Sequence, residues 1–282
     1  MIAILGILVV IGCVASGYWI AGGKFGVLLQ PAELLVIGGA AMGSLLIAST
    51  KTSLKLVLHH LGEVFSGKHY SKVQYVELLS LLARLLIKIR REGLASVERD
   101  VEHPEASAIF TGHQNIKNDT QMIRFICDTF RVYLVTGEPG EIEGIMHADI
   151  ESMHALTALP AQNISKVAES LPGLGIVAAV LGVVLTMQKI TAPPDELGHS
   201  IGAALVGTFL GVLLCYGFVG PMATKLENRS QEREAFFGVI RATISATAHG
   251  ATPMIALEFG RRSVPDIYRP TFEELEQIIR GG

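Results

Sequence analysis

Two runs of sequence decide the fold: LPGLGIVAAVLGVVLTMQ at residues 171–188 and IGAALVGTFLGVLLCYGFVGPM at residues 201–222. Neither contains an Asp, Glu, Lys or Arg. A bilayer core of about 30 Å takes about 20 mostly apolar helical residues to cross, so each run is long enough to span it. Two further windows qualify. Residues 2–21 carry no charge, and residues 32–50 carry only Glu33, at their start and directly after the helix-opening Pro31. Glu33 reads as a satisfied carboxylate at the start of a helix, close to the positive end of its dipole. The first window has no basic stretch before its apolar run and is expected to remain as an uncleaved span. All four windows are rich in small residues, with GxxxG spacings at Gly39 and Gly43 and at Gly207 and Gly211. That spacing lets helix backbones approach closely.

The rest of the 282-residue chain supports this reading. Only 17% of its residues are charged, against about a quarter in soluble domains, and the charges fall mainly outside the four windows. A disordered chain, a disulfide-framework secreted domain and a fully soluble enzyme are excluded. A simple carrier would have little room for so many water-exposed residues. The net charge of −3 does not point to nucleic acid. Cys13, Cys127 and Cys215 lie far apart, without metal or disulfide spacing, and read as buried small hydrophobes. Of the 23 Lys and Arg residues, 13 fall in 51–170 and 8 after 222. Lys24 and Lys189 are the only ones in the short loops between paired spans. The positive-inside rule therefore puts both long segments, and both termini, in the cytoplasm.

The expected fold is all-α: a polytopic membrane protein with four transmembrane helices and a helical cytoplasmic domain. Residues 1–50 hold spans one and two, 51–170 a large cytoplasmic loop, 171–222 spans three and four, and 223–282 a cytoplasmic C-terminal segment. Residues 75–93 have helical periodicity, with Glu77, Arg84, Lys88 and Arg91 near one face and Arg90 pointing away from it. Gly93 interrupts that helix, and Pro104 ends the next. Residues 119–136 and 271–280 read as amphipathic helices. Residues 138–170 could run straight into span three, and 223–248 continue span four.

No GxxxxGK[ST] phosphate loop occurs. The stretch from Gly173 through Gly175 to Ala178 matches a dinucleotide fingerprint only superficially, because it lies in an apolar span with no preceding strand. It reads as helix packing. The nine histidines show no metal spacing, and no enzyme active site is visible. An ion path normally needs an ionisable group, yet spans three and four carry only Thr186, Gln188, Thr208 and Tyr216 as polar side chains. Either a second subunit donates a carboxylate, or the spans are an anchor.

Four stretches resemble MotA-type flagellar stator subunits of the MotA/TolQ/ExbB proton-channel family. They are QPAELLVIGGAAMGS (30–44), SLPGLGIVAAVLGVV (170–184), VGTFLGVLLCYGF (206–218) and PMIALEFGRR (253–262). The resemblance runs along essentially the whole chain. It implies a homo-oligomer, a pentamer, around two copies of a MotB-like partner whose aspartate carries protons, with spans three and four lining the path. It implies no cofactor beyond the proton as coupling ion, location in the bacterial inner membrane, and contact with the rotor protein FliG.

Residue by residue, Pro172 and Pro221 match prolines at the start of span three and the inner end of span four, where a bend or conformational change is plausible. Thr208 matches a channel-facing threonine; bonding to its own helix is the alternative role for its hydroxyl. Thr186 is a further channel-lining candidate. Ala179 stands where sodium-using relatives tend to carry threonine, which favours protons. Arg90 and Glu98 match the charged pair that meets the rotor. Two other readings are a Tol/Ton-type proton-driven energiser of the inner membrane, disfavoured by four spans and the long loop, and a membrane scaffold without ion transport. A self-contained channel is disfavoured by the lack of an acid in spans three and four.

Overall fold

Helices form wherever the sequence has helical apolar periodicity, and breaks fall at Gly, Pro and polar capping residues. The computed structural model describes residues 2–65 and 70–281. In chain order the helices are α1 (Ile2–Ile20), α2 (Phe25–Leu28), α3 (Pro31–Ala48), α4 (Lys51–Phe65), α5 (Lys72–Glu92), α6 (Glu98–Glu102), α7 (Ala108–Thr111), α8 (Gln114–Lys117), α9 (Thr120–Thr136), α10 (Pro139–Met187), α11 (Pro194–Leu213), α12 (Gly220–Ala248), α13 (Pro253–Ser263) and α14 (Phe272–Gly281). A π-helical segment, Leu214–Val219, joins α11 to α12. No strand occurs among the described residues. Four segments are long and apolar enough to cross a membrane: Ile2–Ile20, Phe25–Ala48, Pro139–Met187 and Pro194–Ala248. The last two extend the apolar windows into polar sequence, as the runs at 138–170 and 223–248 suggested.

The chain divides into two units, Met1–Lys68 with Thr157–Asn228, and His69–Leu156 with Arg229–Gly282. In the first unit, Ile37 and Ala41 of α3 pack with Ala168, Leu171 and Ala178 of α10 and with Cys215. Val57 and Val64 of α4 pack on Ala161 and Ile164 of α10 and on Ala223 and Leu226 of α12. Two polar ties reinforce that second cluster. Asn163 Nδ2 donates to Ser53 Oγ at 2.6 Å, and Lys225 Nζ donates at 2.6 Å to the Val64 carbonyl, one of the last-turn carbonyls that a helix leaves unpaired. Helix α1 has no buried residue, and Cys13 is exposed on it, contrary to the expectation of three buried cysteines. Cys127 and Cys215 are buried; burial pushes the Cys127 thiol up to about 12.

In the second unit, α5 is the centre. Its periodicity implied one apolar stripe, but Leu78, Leu79, Leu81, Leu82, Leu85 and Leu86 are all 1% exposed or less. The helix is covered nearly all round because α9, α12, α13 and α14 contribute Phe125, Phe130, Phe236, Phe237, Leu257 and Leu275 to the same core. Each fully buried leucine contributes about 1.5–3 kcal/mol. Tyr70 stacks on Phe236 with ring centroids 4.4 Å apart. Helix α14 opens with a capping box: Thr271 N–H donates to Glu274 Oε2 at 2.7 Å, and Glu274 N–H to Thr271 Oγ1 at 3.2 Å.

Helix α13 carries the PMIALEFGRR stretch, and the structure gives its charges a local task. Glu258 accepts from Arg261 Nε at 2.7 Å and Nη2 at 2.8 Å, and from Arg262 Nε at 2.7 Å. Arg261 Nη1 also donates to the Pro270 carbonyl at 3.0 Å, holding the turn that leads into α14. The Arg261 hydrogen bonds, helped by Arg262, hold the Glu258 carboxyl down at about 2, from an ordinary 4.5. Because the folded value is depressed, the stabilisation is complete above about pH 4.5 and is lost as the pH falls toward 2. Glu258→Gln is expected to lower the thermal midpoint of the detergent-solubilised chain by a few degrees at neutral pH. The gap to the parent should close on acidification to about pH 2, read by circular dichroism.

Candidate functional site

The membrane-spanning part of α10 meets α11 along glycines. A Cβ built on Gly175 would lie 2.8 Å from the Gly207 carbonyl oxygen and 3.1 Å from Gly211 Cα. One on Gly211 would lie 2.5 Å from the Leu171 carbonyl oxygen. The two backbones therefore touch, which only residues without a side chain permit. Of the two GxxxG spacings, Gly207 and Gly211 make this contact, whereas a Cβ on Gly39 or Gly43 meets nothing within 4 Å among the described residues. The fingerprint-like stretch at Gly173 and Gly175 is part of a helix, and its second glycine supplies the crossing point.

This contact brings several of the sequence-derived residues together. Ala179 is buried, and its backbone nitrogen lies 3.1 Å from the Cβ position of Gly207. Thr208 Cα lies 3.3 Å from the Cβ position of Gly175. The Thr208 hydroxyl makes no hydrogen bond among the described residues, so it does not bond back to its own helix. Thr186 does: it is 4% exposed, and its Oγ1 donates to the Gly182 carbonyl at 2.8 Å.

Both prolines lie in helices that continue past the ends of their membrane spans. Pro172 lies inside continuous α10, as does Pro160. Each removes one backbone donor from the ladder. Pro221 lies just inside α12, immediately after the π-helical turn. In a regular α-helix its ring would press on the carbonyl four residues earlier; the wider turn relieves that clash, with Gly220 N–H bonded to the Cys215 carbonyl. A one-residue widening of the helix has no signature in hydropathy, so the sequence reading missed it.

The reading of Glu33 also needs correction. It does lie in the first turn of α3. Its carboxyl, however, makes no hydrogen bond or ion pair among the described residues, and its Oε2 is buried without a partner. That oxygen lies 2.6 Å from the Cβ position of Gly207, and Oε1 lies 3.3 Å from that of Gly182. The side chain fills a notch that two glycines leave between α10 and α11. One acid on a third helix opposite two glycines can be read only after the helices are packed.

In the second unit, Arg90 and Glu98 flank a tight connection. Gly93 ends α5 at φ 90°, a backbone conformation suited to glycine, and its N–H bonds the Ile89 carbonyl at 2.9 Å. A 3₁₀ turn, Leu94–Val97, follows, with Val97 buried. Lys88 and Asp100 pair across this connection at 2.7 Å, and Asp100 also accepts from Ser107 Oγ at 2.6 Å. Arg131 of α9 braces α6, binding Glu102 at 2.9 Å and the Val101 carbonyl at 2.9 Å. Lys88 and Arg90 are two residues apart on a helix, and so are Glu98 and Asp100, which puts each pair on opposite faces. The inner members lock the connection, and Arg90 and Glu98 stay exposed with no ion pair or hydrogen bond among the described residues. The helix dipoles favour a cation in the last turn of α5 and an anion in the first turn of α6.

Fold and site together define a four-span, all-helical membrane protein with a glycine-packed helix pair. The family profile "Motility protein A N-terminal" matches residues 4–93, and that of the MotA/TolQ/ExbB proton channel family matches residues 116–237. Motility protein A of Salmonella typhimurium is 41% identical over 282 residues, 99% of this chain and 95% of that protein. The chemotaxis protein LafT of Vibrio parahaemolyticus is 36% identical over 98% of this chain and 97% of its own length. In fold, the chain is similar to the C. jejuni MotAB structure, with a TM-score of 0.78 at 21% identity over 94% of this chain and 95% of that one. It is also similar to the flagellar MotAB stator complex from Bacillus subtilis, with a TM-score of 0.73 at 23% identity and 98% coverage of both chains. The chain belongs to the motility protein A family, within the MotA/TolQ/ExbB proton channel family.

The glycine contact makes a prediction about side-chain size. Gly211→Val should prevent α10 and α11 from closing and strongly reduce the yield of folded chain from membranes. Gly62→Ala, where a Cβ meets nothing within 4 Å among the described residues, should match the parent. Size-exclusion profiles and thermal aggregation in detergent read both.

Proposed function

We infer that the chain is a stator subunit of the bacterial flagellar motor. With a MotB-like partner it forms a proton-conducting complex that couples the proton motive force to torque on the rotor. One observation supports this reading above the others: in a chain of the proton channel family, α10 and α11 meet at a backbone contact flanked by buried Ala179 and an unbonded Thr208 hydroxyl. Neither α10 from 171 to 187 nor 201–222 supplies a carboxylate. The proton-carrying aspartate therefore comes from the partner, and five copies of this chain surround a partner dimer. The protein is a motor component rather than an enzyme. It resides in the inner membrane with both termini in the cytoplasm, the orientation that its Lys and Arg distribution favours.

One charge crossing 100 mV supplies about 2.3 kcal/mol. Each transit can therefore drive a modest rearrangement, and Pro172 and the π-turn before Pro221 interrupt the regular backbone ladder next to the α10–α11 pair. Ala179 offers a methyl rather than an oxygen, which suits protons over sodium. Arg90 and Glu98 are unpaired, exposed charges of opposite sign, fit for a reversible contact with complementary charges on FliG.

In a flagellated strain lacking its own stator, this chain with its cognate partner should restore swimming, and the partner with its aspartate changed to asparagine should not. Loss of swimming in both, despite assembly in the membrane and a compatible rotor, would shift the reading to a Tol/Ton-type energiser. Reversing both charges, Arg90→Glu with Glu98→Lys, should cut swimming speed several-fold while leaving complex formation intact. Unchanged swimming against every rotor background would rule out the contact.

A further inference from the structure

Helix α4 follows span two directly, with only Ser49 and Thr50 between Ala48 and Lys51. It does not prolong that span. It lies instead against both α10 and α12, where Val57 and Val64 are buried with Ala161, Ile164, Ala223 and Leu226. Ser53, Val57 and Val64 stand at i, i+4 and i+11, which is one face of a helix. A hydrogen bond ties each end of that face. Near the start, Asn163 Nδ2 of α10 donates to Ser53 Oγ at 2.6 Å, and both residues are buried. Near the end, Lys225 Nζ of α12 donates to the Val64 carbonyl at 2.6 Å. The two ties are about 16 Å apart along α4, at 1.5 Å per residue. One short helix thus grips two long ones.

We propose that α4 is a strap that makes α10 and α12 move as one body just inside the membrane, with Ser53, Asn163 and Lys225 as the positioning residues that set its alignment. The proposal rests on the stator reading above. Asn163 stands between Pro160 and Pro172, each of which removes a donor from the α10 ladder. Lys225 stands one turn after Pro221 and the π-helical segment. With both termini in the cytoplasm, each tie lies on the cytoplasmic side of an interruption beside the ion path. Apolar packing is non-directional and lets helices slide and turn on one another. A hydrogen bond fixes distance and angle together. An amide among Val, Ala and Ile side chains must also be desolvated, a cost that an apolar side chain of like size avoids. What the Asn163–Ser53 pair adds is therefore one alignment of the strap. Two of the three places where the chain passes between its units, 156–157 and 228–229, lie within α10 and α12. A rearrangement at Pro172 or the π-turn could be absorbed as shear, α10 sliding past α12. The strap blocks that loss, so the movement continues along both helices.

The test uses the assembled complex with its cognate partner, in the stator-deficient strain and in proteoliposomes. The parent chain with the acidic partner is the reference; if it neither swims nor conducts, the stator reading itself fails. With that reference working, Asn163→Leu with Lys225→Met removes both ties and keeps side chains of similar size. Proton flux per assembled complex should stay close to the parental value, while torque at high load, read from tethered-cell rotation, falls several-fold. Lys225→Arg, which keeps a cationic donor, should recover part of the torque when Asn163 is restored. Parental torque in the double variant overturns the proposal. So does a flux that falls in step with torque, the result of a role in stability alone. A second measurement covers a variant that does not assemble. Ser53→Cys with Asn163→Cys, in a Cys13→Ser background, is bridged by a short thiol-to-thiol reagent. The bridged complex should turn as the unbridged parent does, because this pair never parts during the cycle. Rotation that stops on bridging, or no bridge at all, overturns the proposal as well.

Discussion

The contact on which the membrane part of this structure depends is backbone against backbone, at Gly175, Gly207 and Gly211. In a bilayer, burying apolar side chains gains little, because lipid tails are as apolar as the protein surface. Close van der Waals contact has to hold the helices together. Removing side chains at three positions lets α10 and α11 approach until carbonyl oxygens and Cα atoms touch. That approach places Ala179 and Thr208 on the two sides of one crossing. It also leaves, at Gly182 and Gly207, the notch that the Glu33 side chain enters from α3. A polar locus thus arises from a packing rule, without any polar residue clustering in the sequence.

Outside the membrane, burial in water does the corresponding work. Helix α5 is almost wholly enclosed, and its exposed end is shaped by a glycine at positive φ, the Lys88–Asp100 pair and the Arg131 brace. These inner charges are partly shielded and paired, so they set geometry. Arg90 and Glu98 are exposed and make no ion pair or hydrogen bond among the described residues. An exposed ion pair is worth little in stability, but an unpaired charge held on a fixed scaffold steers association effectively. The same division appears on α13, where Glu258 is consumed by Arg261 and Arg262. That motif secures the turn before α14.

Helix identity was legible wherever a single periodic signal sufficed. The four apolar windows, the extension of the last two into polar sequence and the all-α class follow from hydropathy, capping residues and breakers. Less legible was anything that depended on which face meets which neighbour. The stripe on α5 concealed a helix covered on nearly all sides, and Cys13 proved exposed because α1 buries no residue. Two equivalent GxxxG spacings proved unequal: among the described residues, Gly207 and Gly211 touch another helix closely, and Gly39 and Gly43 do not. The π-turn before Pro221 was invisible because it changes hydrogen bonding without changing composition.

The sequence by itself determined the class: four spans, an excess of Lys and Arg in the two long segments between and after them, and motifs placing the chain in the motility protein A family. Those properties depend on composition and local order, which a linear reading preserves. The tertiary structure decided which glycines touch, which hydroxyl stays unbonded and where the carboxyl of Glu33 lies. Each of these is a distance between residues remote in the chain, from 33 to 207 or from 175 to 211. Only packing brings such residues together.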